Sequence, residues 1–213
     1  MQVAVVVGVT VALAGCGSSS SHSTTTTPTT SAAQTTTAAS SALGRHVLRS
    51  GELAGMSSPG VASPENNLTA WVAGEDQAAP DQTAEVARLR KLGWKDALAE
   101  NLIAPGNPNR YGVSLVEHFS SAHGAQRELA HQTGSSSSGG PWTYFAVSGI
   151  PGARGFEQVS SSQSGRNVAF ADGSYYYLVG AGWMAPARNA VSRAQLVAAA
   201  VTLFHRVHGE TGG

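Results

Sequence analysis

No lysine, arginine, aspartate or glutamate occurs before Arg45, although the chain holds thirteen basic and thirteen acidic residues in all. This asymmetry confines any conventional domain to the region beyond about residue 43. From Gly17 to Ser41 the residues are almost wholly Ser, Thr, Ala and Gln, with one proline. Such a stretch buries too little apolar surface to offset the entropy of ordering it, so it reads as a flexible tether. A flexible chain of roughly 25 residues has an r.m.s. reach of about 25–30 Å. Residues 43–209 are enough to enclose one core and read as a single domain, with 210–213 as a tail. Because that domain is neutral, it lacks the basic stripe of a nucleic-acid binder. Its one basic knot, Arg88, Arg90 and Lys91, reads as a solvated helix face.

The first residues contain an apolar run from Val3 to Ala14, broken only by Gly8 and Thr10. About a dozen residues are too few to span a bilayer, which takes about 20, but they suit the hydrophobic region of a signal peptide. A positively charged start is missing, so the natural start is expected further upstream. The run ends at Leu13-Ala14-Gly15-Cys16, which resembles the lipobox of bacterial lipoproteins. That resemblance implies a signal peptide over 1–15, a diacylglyceryl group on the Cys16 thiol, and a tether over 16–42. The expected location is the extracytoplasmic face of the cell membrane, with the membrane itself as a partner. Cys16 is the only cysteine, so the domain has no internal disulfide and no catalytic thiol.

Within the domain, Asp81 is placed to cap a helix carrying Val86, Leu89 and Leu92 until Gly93. A second helix is expected after Ser120-Ser121, with Ala122, Ala125 and Leu129 on one face. The third follows Ser192, where Leu196, Ala200, Leu203, Phe204 and Val207 recur at helical spacing before Gly209. Asn167–Ala171 and Ser174–Val179 predict a hairpin across Asp172-Gly173. Further strands are expected over 112–119, 144–148 and 156–160, with a shorter one over 47–53. The order of strands and helices favours an α+β domain, an antiparallel sheet with helices packed against it. Gly51–Met56 and Ile150–Phe156 echo one another, suggesting two related strand-and-helix halves separated by the Ser/Gly stretch 134–140.

No catalytic signature is present: the nucleophile-elbow, P-loop and dinucleotide patterns all fail. His205 and His208 lie three apart on the last helix, but two ligands do not make a zinc site. His118 reads as a sheet residue, and His123 and His131 fall near the middle helix. Glu117, Glu157 and Asp172 lie near strands. A binding platform is predicted from Tyr175, Tyr177 and Trp183, with Tyr176 on the opposite face. No cofactor or metal is expected.

A lipobox, a tether and two strand-and-helix halves make the chain resemble small cell-envelope lipoproteins of actinobacteria. Some of these have a sheet covered by helices similar to the PsbP and Mog1 proteins, which implies that fold here and carries no site residues with it. The function expected is a membrane-anchored lipoprotein whose domain binds a small ligand or an envelope protein without catalysis. The alternatives are an envelope hydrolase with dispersed catalytic residues, and a metal- or haem-capturing protein using His205, His208 and aromatics.

Overall fold

The computed structural model describes residues 42–60, 62–75, 81–134, 142–186 and 191–208. The expected signal peptide, Cys16, the expected tether up to residue 41, residues 135–140 of the Ser/Gly stretch and the tail lie outside them. The elements in chain order are helix α1 (Leu68–Glu75), α2 (Gln82–Leu92), strands β1 (Trp94–Ala104) and β2 (Asn107–Phe119), α3 (Ala122–Gln132), β3 (Thr143–Phe145), β4 (Arg154–Val159), β5 (Gln163–Asp172), β6 (Tyr175–Met184) and α4 (Arg193–Val207).

The expected helix starts are capped. Asp81 accepts from the Ala84 N–H at 3.0 Å, and Ser121 from the Gly124 N–H at 3.2 Å. Gly93 ends α2 in the left-handed region at φ 81°, where a side chain would strike Ser120. Ser192 and Gln195 satisfy each other's backbone N–H in a capping box at the start of α4.

The strands form one antiparallel sheet in the order β1-β2-β6-β5-β4-β3. Alternation along the strands divides its side chains between two cores. On one face Leu98, Leu102, Val116, Tyr177, Val179, Val168 and Phe170 pack against α4 and the segment 43–56. On the other, Ala97, Phe119, Tyr176, Ala169 and Phe156 pack beneath α1, α2 and α3. The domain is therefore an α+β fold with helices on both faces of an antiparallel sheet. Two hairpin-then-helix units recur in it, β1-β2-α3 and β5-β6-α4, and they lay their helices on opposite faces.

Several boundaries differ from expectation. Residues 47–53 form turns instead of a strand: Gly51 and Gly55 take positive φ, and the Arg49 N–H is donated to Glu52. Their apolar residues still enter the core, because Leu43, Val47, Leu48, Leu53 and Met56 lie across the sheet under 9 % exposed. The β5–β6 turn is Gly173-Ser174, so Asp172 stays in the ladder opposite Tyr175 and Ala171 pairs with Tyr176. Gly173 supplies the positive φ of 56° that the tight turn needs. The strand expected over 144–148 is confined to Thr143–Phe145, and β1 and α1 were not anticipated. Backbone bridges from Ser57 to Ile103 and from Glu65 to Ala97 run along the outer edge of β1, while the short β3 leaves Val159 on β4 58 % exposed.

Candidate functional site

Two open grooves flank the amino-terminal half of α4, of about 900 and 740 Å³, sharing Arg193 and Ala194 in their walls. The first lies between the start of α4 and the ends of β4, β5 and β6. Cross-strand pairing there sets Glu157 opposite Arg166, Val159 opposite Ser164, and Ser164 opposite Trp183, so all five face the helix. Glu157 gathers two arginines. Arg166 Nε donates to Glu157 Oε2 at 2.7 Å; Arg193 Nη2 donates to Oε1 at 2.5 Å and its Nε to Oε2 at 3.1 Å. Arg166 Nη1 also donates to the Val191 carbonyl at 2.9 Å, which ties β5 to the residue before the α4 cap. The hydrogen bonds from Arg193 and Arg166 hold the Glu157 carboxyl down at about 2, against the opposing effect of burial.

The second groove continues along α4 past Val197 and Val201 to Phe145 and Gly149. The Arg193 guanidinium lies 5.2 Å from the centre of the Phe145 ring, a cation–π contact that joins the two grooves. The pair thus offers a fixed cationic patch at one end and an apolar trough at the other.

Of the three aromatic residues expected to form a platform, Tyr175 and Tyr177 meet with ring centres 6.2 Å apart, and Trp183 stands away from both. Tyr177 is fully buried, stacked on Phe170 at 4.6 Å, with its hydroxyl 2.7 Å from His46 Nδ1. Tyr175 is sandwiched between His46 and His118, with ring centres at 4.5 and 4.6 Å. Trp183 lies eight residues further along β6, roughly 26 Å away at the strand rise, and lines the first groove. The histidines are likewise separate in role. His118 Nδ1 is 3.1 Å from Asp96, His208 stacks on Phe204 and approaches Asp172 at 3.3 Å, and His205, His123 and His131 are exposed. Among the described residues no group of three or more His, Cys, Asp or Glu side chains is placed to hold a metal ion.

The acidic residues are divided by the sheet itself. Glu117, opposite Tyr176, belongs to the α1–α3 face, whereas Glu157 and Asp172 belong to the α4 face at different ends. Glu117 is 5 % exposed; Trp71 Nε1 donates to its Oε1 at 2.7 Å and its Oε2 has no partner among the described residues. Burial, reinforced by Glu128, raises its pKa well above the ordinary glutamate range. Because the folded value is the higher one, the stability Glu117 contributes is complete below the unfolded pKa of about 4.3 and is lost as pH rises towards the folded value. Glu117→Gln keeps the Trp71 acceptor and removes this loss. Urea midpoints at pH 5 and pH 7.5 are expected to fall less for the variant than for the parent; equal slopes would exclude Glu117 as the source.

Ser164, Arg166 and Arg193 carry the groove, and sequence reading passed over all three. Only Arg193 had a local cue, its place beside the Ser192 cap; the others meet it through strand register.

No protein-family model matches the chain, and no curated protein matches it. Among solved structures it is similar to the extracellular domain of PknH from Mycobacterium tuberculosis, at 13 % identity and a TM-score of 0.40, over 58 % of this chain and 71 % of that one. A likeness at that level carries no functional argument.

Proposed function

We propose that this chain is a lipid-anchored cell-envelope lipoprotein whose folded domain binds a ligand or partner without catalysis. The observation that carries the reading is Leu13-Ala14-Gly15-Cys16 at the end of a short apolar run, followed by an uncharged Ser/Thr tether. Among the described residues no helix is long and apolar enough to cross a membrane. The direction of the domain supports a binding role. Arg206, near the carboxyl end of α4, donates to the Arg45 and Val47 carbonyls, so the chain enters the domain at that end. The grooves lie at the amino end of the same 15-residue helix, about 20 Å away at 1.5 Å per residue. A carboxylate pair of the kind used in glycoside hydrolysis flanks one scissile bond within a single cleft, and Glu117 and Glu157 stand on opposite faces of the sheet.

Expression of the native gene in cells fed a clickable fatty acid tests the anchor. Label is expected in the membrane-bound protein and absent from Cys16→Ala. A Cys16→Ala protein that stays labelled and membrane-bound would overturn the proposed attachment.

A further inference from the structure

The groove at the amino end of α4 holds more polar capacity than the fold uses. Each arginine is fixed by two hydrogen bonds, and these leave Arg166 Nη2 and Arg193 Nη1 without a protein partner among the described residues. The Ser164 side chain lines the same groove, is 2 % exposed, and has a hydroxyl without a partner among the described residues. Buried hydroxyls are paired as a rule, because an unmade hydrogen bond leaves their desolvation uncompensated. Trp183, directly across the ladder from Ser164, is half-buried and provides a flat apolar wall. Two guanidinium groups less one carboxylate leave a single formal positive charge, to which the α4 amino terminus adds its partial positive charge.

We propose that this groove binds one singly charged oxyanion, a carboxylate or a phosphodiester, attached to a flat apolar body. The inference deepens the binding role proposed above and rests on it. Arginine forks match the paired oxygens of such groups, and Glu157 holds both forks in place before the ligand arrives. The Ser164 hydroxyl gains a partner when an oxygen of the ligand reaches the groove floor. Trp183 stacks on the body. A doubly charged phosphate monoester would exceed the positive charge the site supplies, so a single negative charge is the better match.

Calorimetric titration of the full-length chain in detergent with benzoate, methyl phenyl phosphate and neutral benzamide tests the assignment. At least one anion is expected to bind saturably and at least about tenfold tighter than benzamide, and whichever of the two binds identifies the oxyanion. Arg193→Gln, at a half-exposed position, and Ser164→Ala are each expected to weaken that binding by about tenfold. Ser164→Ala should also melt at the parent temperature or above it, since it removes an unpaired buried hydroxyl. Equal binding of benzamide, unchanged binding in both variants, or no saturable binding of either anion up to about 10 mM would overturn the site. Such a failure leaves the Cys16 labelling result untouched. Hydrolysis of methyl phenyl phosphate that depends on Arg193 would support the site and overturn the non-catalytic reading.

Discussion

Arg88→Met is expected to destabilise the domain by about 3–5 kcal/mol, the cost of leaving a buried partner charge without its counter-ion. In a domain of this size that corresponds to a fall in melting temperature of roughly 10 °C. The reason lies across the interface between α2 and α3. Arg88 Nη1 donates to Glu128 Oε2 at 2.5 Å, and the Glu128 side chain is 1 % exposed. Its Nε and Nη2 hold Glu85, one turn earlier on α2, at 2.7 and 2.5 Å. Burial works against the Arg88 charge, but its hydrogen bonds to Glu85 and Glu128 outweigh it and raise its pKa. Among the described residues Glu128 retains only the Gln132 amide when the arginine is lost. Arg88→Met combined with Glu128→Gln should therefore recover most of the loss in urea unfolding. A single-variant deficit below about 1 kcal/mol would place this pair with ordinary surface ion pairs.

The second large effect is expected on the opposite face. Phe170 is fully buried, stacked on Tyr177 at 4.6 Å and edge-on to Phe204 of α4 at 5.9 Å. Phe170→Ala removes the ring from between sheet and helix and should cost about 3–5 kcal/mol, through lost burial and the cavity left behind. Phe170→Leu, which keeps most of the volume, should cost clearly less. Near-UV circular dichroism is a second readout, because the Tyr177 ring and its contact with His46 rest on the same packing. If the alanine and leucine variants unfold at the same denaturant concentration, Phe170 is not the ring that joins the sheet to α4.

How much of this was legible in residue order follows from the range of the forces involved. Helix caps at Asp81 and Ser192 were readable because the hydrogen bonds that make them span three residues. The β5–β6 hairpin was readable because a tight turn needs a residue tolerant of positive φ, and Gly173 provides it; its register was not, because the ladder admits Asp172. Strand β1 escaped notice for the opposite reason. Its sequence, Trp94-Lys95-Asp96-Ala97-Leu98-Ala99-Glu100-Asn101-Leu102-Ile103-Ala104, is rich in good helix formers, and only pairing with β2 and burial of Ala97, Leu98 and Leu102 make it a strand. Residues 47–53 misled in the other direction: their apolar spacing is that of a buried segment, and burial does not require a strand.

The groove marks the same boundary. Residue order alone was enough for an uncharged Ser/Thr-rich stretch ahead of a neutral region that folds as α+β, because composition and local backbone preference act within a few residues. Tertiary structure alone brought Glu157 to Arg166 by strand register and Arg193 to Glu157 by the packing of α4, over separations of 9 and 36 residues. It also parted Tyr175 from Trp183 along one strand and Glu117 from Glu157 across one sheet. Contacts of that kind depend on which faces the two cores bury, and that choice is made by the whole chain at once.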